Sequence, residues 1–184
     1  MKNRKKEGIS TEDIIKMVSR SSNERINLTV TLGLYTGAKP EELLALKDED
    51  VTSEHVSINK KIKKEIDVGK TIEKIKERKV PVPSFVKLAS IKFKEVKKKE
   101  KETLGKDYNQ NKLLIPTEKG ELYDIEDFHE EWIEECERLG IEATDFIFLR
   151  KVYAEYLLKK IDITHVLKYL GYNSQKEMKN DLEI

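Results

Sequence analysis

The sequence contains a single cysteine, Cys136, among its 184 residues, so no disulfide bond can form within the chain. Cys136 lies between two glutamates in an acidic stretch, where a structural thiol is the simplest interpretation. Long apolar runs are missing as well, since no stretch approaches the roughly 20 apolar residues of a membrane helix. The polar, basic start does not resemble a signal peptide. We therefore predict an intracellular protein, in the cytoplasm or nucleoid, with no membrane partner.

Glycine and proline are scarce and scattered, with eight Gly and four Pro residues. They form no glycine-rich phosphate loop, so nucleotide binding is unsupported and we expect no cofactor. They also form no linker that would divide the chain, and 184 residues with 38% hydrophobic content are enough for one buried core. We predict a basic, disordered arm at residues 1–9 and a single domain at residues 10–184, which ends in a short polar tail from Ser174.

Charge of one sign is not in excess overall, because 39% of the residues are charged but the formal net charge is only +1. The enrichment in Lys and Glu is typical of hyperthermophile proteins, so we expect a thermophilic source. The charges are segregated: basic residues dominate from Lys60 to Lys106, and acidic residues dominate from Glu118 to Glu137. A surface that faces a polyanion and a solvated lysine-rich helix explain the basic segment equally well.

The apolar periodicity predicts a mostly helical α+β fold, with helices around a small three-stranded antiparallel sheet. The first helix is expected at residues 10–19, where Ser10 and Asp13 resemble a capping box. The other helices are expected at 23–35, 40–46, 84–104, 125–139, 145–160 and 163–170. The helix at 84–104 carries Phe85, Leu88 and Ile91 at helical spacing and, less regularly, Phe93 and Val96 before its lysine cluster. The three strands are expected at 55–59, 62–68 and 79–83.

Three histidines offer little for catalysis or metal binding. His129 precedes Glu130 and Glu131, but no second histidine follows at i+4 as in a zincin helix, so we predict no metal site. A solvated acidic helix with Trp132 on its buried face is the preferred interpretation. His165 is predicted to be a buried, hydrogen-bonded histidine.

Two motifs and the segments around them carry the strongest functional signal. The stretch from Leu34 to Val51 matches the pattern Thr-Gly-x-Arg-x-x-Glu-x-x-x-Leu-x-x-x-Asp, except that lysine replaces the arginine. A second motif spans 148–158 and contains Arg150, and a Leu-Gly-Tyr segment follows at 170–172. The order and spacing resemble the catalytic domain of tyrosine recombinases and phage-type integrases, including those of archaeal viruses. The resemblance covers roughly residues 10–182 and implies double-stranded DNA as the partner.

In that family a tyrosine attacks a DNA phosphate and forms a 3′-phosphotyrosine, so the nucleophile is indispensable. Two arginines bind the nonbridging oxygens, because the guanidinium fork matches a phosphate. A lysine on a β-hairpin protonates the leaving oxygen, and histidines assist with protons. Residues 76–82 are similar to part of that hairpin, and Lys74 or Lys70 is the best candidate for its lysine.

Most of the family's catalytic positions are degenerate in this sequence. Arg150 matches the second arginine, but Lys39 stands at the first, which keeps the charge and loses the fork. Ile147 replaces the histidine expected three residues before Arg150, and Tyr172 replaces the histidine of the Leu-Gly-His segment. The nucleophile is expected about nine residues after Tyr172, at or near Asp181, and no tyrosine follows Tyr172.

Three functional hypotheses remain open at this point. The first is a DNA-binding protein that has lost its nucleophile and occupies or regulates recombination sites. Its expected phosphate contacts are Lys39, Lys70, Lys74, Lys76, Arg78, Arg150 and Lys151. The second is an active integrase that uses Tyr172 or Tyr169 as a displaced nucleophile. The third is an interaction scaffold that does not bind DNA, with the acidic helix at 125–139 or the C-terminal tail docking a second copy or a full-length recombinase.

Overall fold

The computed structural model describes residues 20–65, 69–142 and 145–184. In the described residues the helices and strands are α1 Glu24–Thr36, α2 Pro40–Leu43, β1 His55–Glu65, β2 Gly69–Pro81, α3 Ser84–Leu104, α4 Ile125–Arg138, α5 Phe148–Leu158, α6 Ile163–Leu170 and α7 Gln175–Leu182. A 3-10 turn at Asp48–Asp50 lies between α2 and β1. The predicted mostly helical α+β class is confirmed. The expected arm at 1–9 and helix at 10–19 lie outside the described residues.

The sheet consists of one antiparallel pair in the described part of the chain, with His55 opposite Pro81 and Glu65 opposite Gly69. Three strands were expected, and this is not confirmed. The first expected strand and residues 62–65 of the second both belong to β1. A register shift after Ile58 interrupts the alternation of burial without ending the pairing. The third expected strand overlaps the end of β2.

The core is organised around α1, which packs against α3 and α5. The side chain of Asn23 caps α1 by accepting hydrogen bonds from the backbone of residues 25 and 26. Within this core, Trp132 and Phe146 meet edge to face at 5.1 Å, and Phe128 meets Phe146 at 5.3 Å. The prediction that Trp132 is buried is confirmed. None of the helices in the described residues is long and apolar enough to cross a membrane.

The buried face of α3 is not formed by its most regularly spaced apolar residues. Phe85, Leu88 and Ile91 are 45%, 62% and 46% exposed, whereas the less regularly placed Phe93 is buried and Val96 is partly buried. The buried side chains of α3 are instead those of Val86, Ser90, Phe93 and Lys97. The apolar spacing did not show this face clearly because a lysine belongs to the buried stripe, and a stripe that contains a charge does not stand out in an apolar pattern.

Partly buried ion pairs tie the basic middle segment to the acidic 3-10 turn. The Lys97 Nζ lies 2.8 Å from an Asp48 carboxylate oxygen and 3.0 Å from the Leu113 carbonyl. Burial lowers the pKa of Lys97, and the Asp48 carboxylate opposes this effect. The Lys60 Nζ lies 2.5 Å from Asp50. The charges of these two lysines are paired with carboxylates of the protein itself. The surface is therefore less basic than the composition of residues 60–106 indicates.

Candidate functional site

A cleft of about 780 Å³ lies where the first motif, β2 and the Leu-Gly segment meet. Seven basic and four acidic side chains line it. The basic ones are Lys39, Lys61, Lys76, Arg78, Lys79, Arg150 and Lys168, and the acidic ones are Glu41, Glu42, Glu77 and Glu177. The sequence motifs, which lie more than a hundred residues apart, thus contribute to one surface with an excess of positive charge.

A buried ion pair between Glu42 and Arg78 forms one wall of the cleft. Arg78 donates from Nη1 and Nη2 to the two Glu42 carboxylate oxygens, at 2.8 and 2.6 Å, and from Nε to the Tyr169 carbonyl at 3.0 Å. Burial alone would raise the pKa of Glu42, but the Arg78 hydrogen bonds and charge outweigh it and hold that pKa below its ordinary value. The Arg78 fork is therefore occupied by a carboxylate within the protein.

Arg150 lies beneath the cleft and is 3% exposed. Its guanidinium donates to the Gly37 carbonyl at 2.5 Å, to the Leu170 carbonyl at 2.7 Å and to the Tyr172 hydroxyl at 3.1 Å. It also lies 4.6 Å from the centre of the Tyr172 ring. Arg150 thus joins the end of α1 to the end of α6, and three sides of its fork face protein acceptors.

Gly37, whose carbonyl accepts from Arg150, is packed closely against α5 and α6. It ends α1 in the left-handed region with φ of 59°, where glycine carries no penalty. A Cβ at this position would lie only 2.6 Å from atoms of Leu170 and Tyr153. The glycine of the first motif is therefore required for packing as well as for the turn.

Tyr172, Asp181 and Lys39 form a polar cluster at the end of the cleft. The Tyr172 hydroxyl donates to Asp181 Oδ2, and the Lys39 Nζ lies 3.6 Å from the same oxygen. Burial raises the pKa of Tyr172 to about 12, and the hydrogen bond to Asp181 adds to this effect. The hydrogen bond from Tyr172 lowers the pKa of Asp181, as do the charges of Lys39 and Arg150. At neutral pH Tyr172 is therefore a neutral hydroxyl and Asp181 an anion.

Of the seven expected phosphate contacts, Lys39, Lys76, Arg78 and Arg150 line the cleft. The other three do not line it. Lys70 donates to the Leu122 carbonyl, and Lys151 donates to the Glu183 carbonyl. Lys74 is exposed and lies opposite Lys60 in the register of the two strands. The degenerate position Ile147 lies at the start of α5 and is half-buried, outside the cleft lining.

The structure adds three basic residues that the motifs did not indicate: Lys61, Lys79 and Lys168. Lys61 lies outside the motif positions, and only the fold brings it to this surface, whereas Lys168 lies within the segment 166–174 around the Leu-Gly-Tyr sequence. Lys79 was within reach of sequence reasoning, because it belongs to the hairpin segment at 76–82.

His165 is hydrogen-bonded as predicted, but the prediction that it is buried is wrong, since this side chain is 57% exposed. Its Nδ1 lies 2.5 Å from Asp162, the N-cap of α6. A histidine in the first turn of a helix reaches its own cap residue, which holds the ring at the surface. The hydrogen bond to His165 lowers the pKa of Asp162.

No protein-family profile matches the chain, and no curated protein is similar to it in sequence. The fold, however, is similar to that of several solved structures. The Tn1549 transposon integrase in complex with a circular intermediate DNA has a TM-score of 0.75 at 15% identity, over 92% of this chain and 57% of that one. XerA recombinase has a TM-score of 0.73 at 19% identity, over 96% of this chain and 60% of that one.

The catalytic domain of bacteriophage HP1 integrase is also similar, with a TM-score of 0.56 at 18% identity over 94% of this chain and 84% of that domain. At these identities the likeness establishes the fold. The chain spans 57% and 60% of the lengths of the Tn1549 integrase and XerA chains. The resemblance noted from the motifs is confirmed at the level of the fold.

Proposed function

We propose, on the premise that this chain has the fold of tyrosine-recombinase catalytic domains, that it binds double-stranded DNA without cutting it. The observation that carries the proposal is the identity and environment of Asp181. This residue lies where the resemblance places the nucleophile, and its carboxylate accepts a hydrogen bond from Tyr172 near Lys39. An aspartate at this position cannot form a phosphotyrosine, and no tyrosine follows Tyr172 in the sequence.

DNA would contact the exposed lysines of the cleft. Lys76 and Lys79 are exposed on β2 and make no ion pair with any described residue, unlike Lys61, which pairs with Glu73. Such lysines bind backbone phosphates and give affinity without reading base sequence. The DNA complex of the Tn1549 integrase supports this proposal, because that protein has the same fold. A chain of this kind would occupy or regulate recombination sites.

The test is fluorescence anisotropy of a labelled duplex over a salt series, with wild type and the double variant Lys76→Gln/Lys79→Gln. Each phosphate contact contributes about 0.9 to the slope of log K against log salt, so the variant is expected to lose about 1.8 of the slope. Arg150→Ala is a poor probe of DNA contact, because its buried guanidinium supports the fold.

The matched control is Lys98→Gln/Lys99→Gln, which removes the same charge from exposed positions of α3 that lie outside the cleft. This control is expected to keep most of the wild-type slope. Equal losses in the two double variants would show that DNA does not use the cleft. No binding by the wild type at low salt would reject the function itself and favour the interaction-scaffold alternative.

A further inference from the structure

We infer that the Asp181 carboxylate occupies the hydrogen-bond and charge donors at the end of the cleft, so that a DNA phosphate is kept away from them and rests on the outer lysines of β2. We call the space between Lys39, Arg150, Tyr172 and Asp181 the recess. The inference deepens the proposed function, since it concerns how the same cleft receives a phosphate.

The donors around Asp181 are those that a phosphate oxygen would use. The carboxylate accepts the Tyr172 hydroxyl proton and lies 3.6 Å from the Lys39 ammonium. Arg150 donates through Nε to the same hydroxyl at 3.1 Å, so the one Tyr172 proton is directed toward Asp181. A carboxylate and a phosphate compete for such donors because both are anionic oxygen acceptors.

The Asp181 carboxylate is held at the recess by α7. Ser174 caps this helix, and Met178 and Leu182 are buried to 0% and 4% exposure. A tethered anion has a high effective concentration at its site, so a free phosphate competes with it poorly. The recess is nevertheless open to solvent, since the side chains of Lys39 and Asp181 are 34% and 40% exposed. Removal of the carboxylate charge, and not of a covering structure, is therefore the change that should admit a phosphate.

The probe is inorganic phosphate, titrated by calorimetry into wild type and into Asp181→Asn. Asparagine still accepts a hydrogen bond from Tyr172, so the substitution removes the charge and keeps the contact. We expect phosphate to bind Asp181→Asn at least about tenfold more tightly than wild type, because a like charge near the recess is gone. Adding Lys39→Gln to this variant is expected to reverse the gain.

The matched control is Glu183→Gln, which removes a carboxylate from the same segment. Glu183 is exposed and its side chain makes no ion pair with the residues described. If Glu183→Gln gains as much phosphate affinity as Asp181→Asn, net charge explains the effect and the inference is overturned. Equal phosphate affinity in wild type and Asp181→Asn, or no binding by either, overturns it as well.

Circular dichroism establishes that each variant is folded. If Asp181→Asn is not folded, the test is repeated with Asp181→Ser. Serine carries no charge and is smaller than aspartate, so it fits at this partly exposed position without new contacts. The phosphate titration does not depend on DNA binding. A wild type that fails to bind DNA therefore overturns the proposed function, whereas a phosphate affinity that ignores Asp181 overturns this inference alone.

Discussion

Arg78 and Glu42 are joined by two parallel hydrogen bonds, 2.8 Å from Nη1 to Oε1 and 2.6 Å from Nη2 to Oε2. The pair connects β2 to α2 across 36 residues of sequence, and both side chains are about nine-tenths buried. Glu42, a residue of the first motif, therefore holds the guanidinium of Arg78 in place and does not face solvent.

The Arg78–Glu42 pair should be strongly coupled in stability. Arg78→Met or Glu42→Leu alone leaves a buried charge without its partner and is expected to cost about 3–5 kcal/mol of unfolding free energy. The double variant is expected to cost clearly less than the sum, because no unpaired charge remains. Urea denaturation of the four proteins measures this, and additive losses would show that the pair is not coupled.

The same pair predicts a pH dependence with a definite sign. The folded pKa of Glu42 lies below its ordinary value of 4.5. Its contribution to stability is therefore fully present above the unfolded pKa and is lost as the pH falls through the folded pKa. Because other carboxylates also titrate in this range, the diagnostic quantity is the difference between wild type and Glu42→Gln. We expect this difference to shrink as the pH is lowered below about 4.5, and a constant difference in denaturation midpoints would contradict the prediction.

Alanine substitutions at Gly37 and Gly171 compare the cost of backbone strain with and without a severe steric clash of the added Cβ. Both residues are in the left-handed region, with φ of 59° and 77°. An added Cβ would lie 2.6 Å from its neighbours at Gly37 but 3.3 Å from Arg78 at Gly171. Gly171→Ala is expected to cost about 1–2 kcal/mol from backbone conformation alone. Gly37→Ala should cost at least about 1 kcal/mol more because of overpacking. Thermal unfolding measures both, and equal losses would argue against the close packing at Gly37.

Covalent chemistry at Tyr172 is expected to be absent. Burial and the hydrogen bond to Asp181 raise the pKa of this hydroxyl to about 12, so the phenolate that attacks a phosphate is disfavoured. Incubation with a random-sequence library of nicked duplexes, followed by a denaturing gel, should show no protein–DNA adduct. An adduct that disappears in Tyr172→Phe would instead establish an active recombinase with an atypical nucleophile.

Sequence reasoning located the cleft but not the use of its arginines. The motif spacing correctly indicated that Lys39, Arg150 and Tyr172 meet in one place. No sequence pattern states whether a guanidinium faces a DNA phosphate, a carboxylate such as Glu42, or backbone carbonyls such as that of Gly37. That choice depends on which acceptors the fold brings within about 3 Å, and here Arg78 and Arg150 both find them inside the protein.

The charge pattern was informative about composition and misleading about the surface. The basic segment at 60–106 was interpreted as either a polyanion-binding face or a solvated helix, yet Lys60 and Lys97 belong to neither. They pair with Asp50 and Asp48, whose positions in the sequence give no sign of this partnership. Pairings between distant charges depend on tertiary structure, whereas the excess of exposed lysine on β2 was visible in the hairpin sequence.

The contacts of Arg150 also affect the order in which the molecule folds. The hydrogen bond from Arg150 to the Gly37 carbonyl joins residues that lie 113 positions apart in the sequence. The hydrogen bond from Arg78 to the Tyr169 carbonyl joins residues that lie 91 positions apart. A contact between residues this far apart in sequence requires a long loop to close, which lowers the conformational entropy of the chain. Such contacts therefore tend to form late in folding. During synthesis the cleft cannot be complete until α7, which carries Glu177, has left the ribosome. Changes at Arg150 are therefore expected to accelerate unfolding more than they slow refolding, so that Arg150 governs how long the assembled cleft persists.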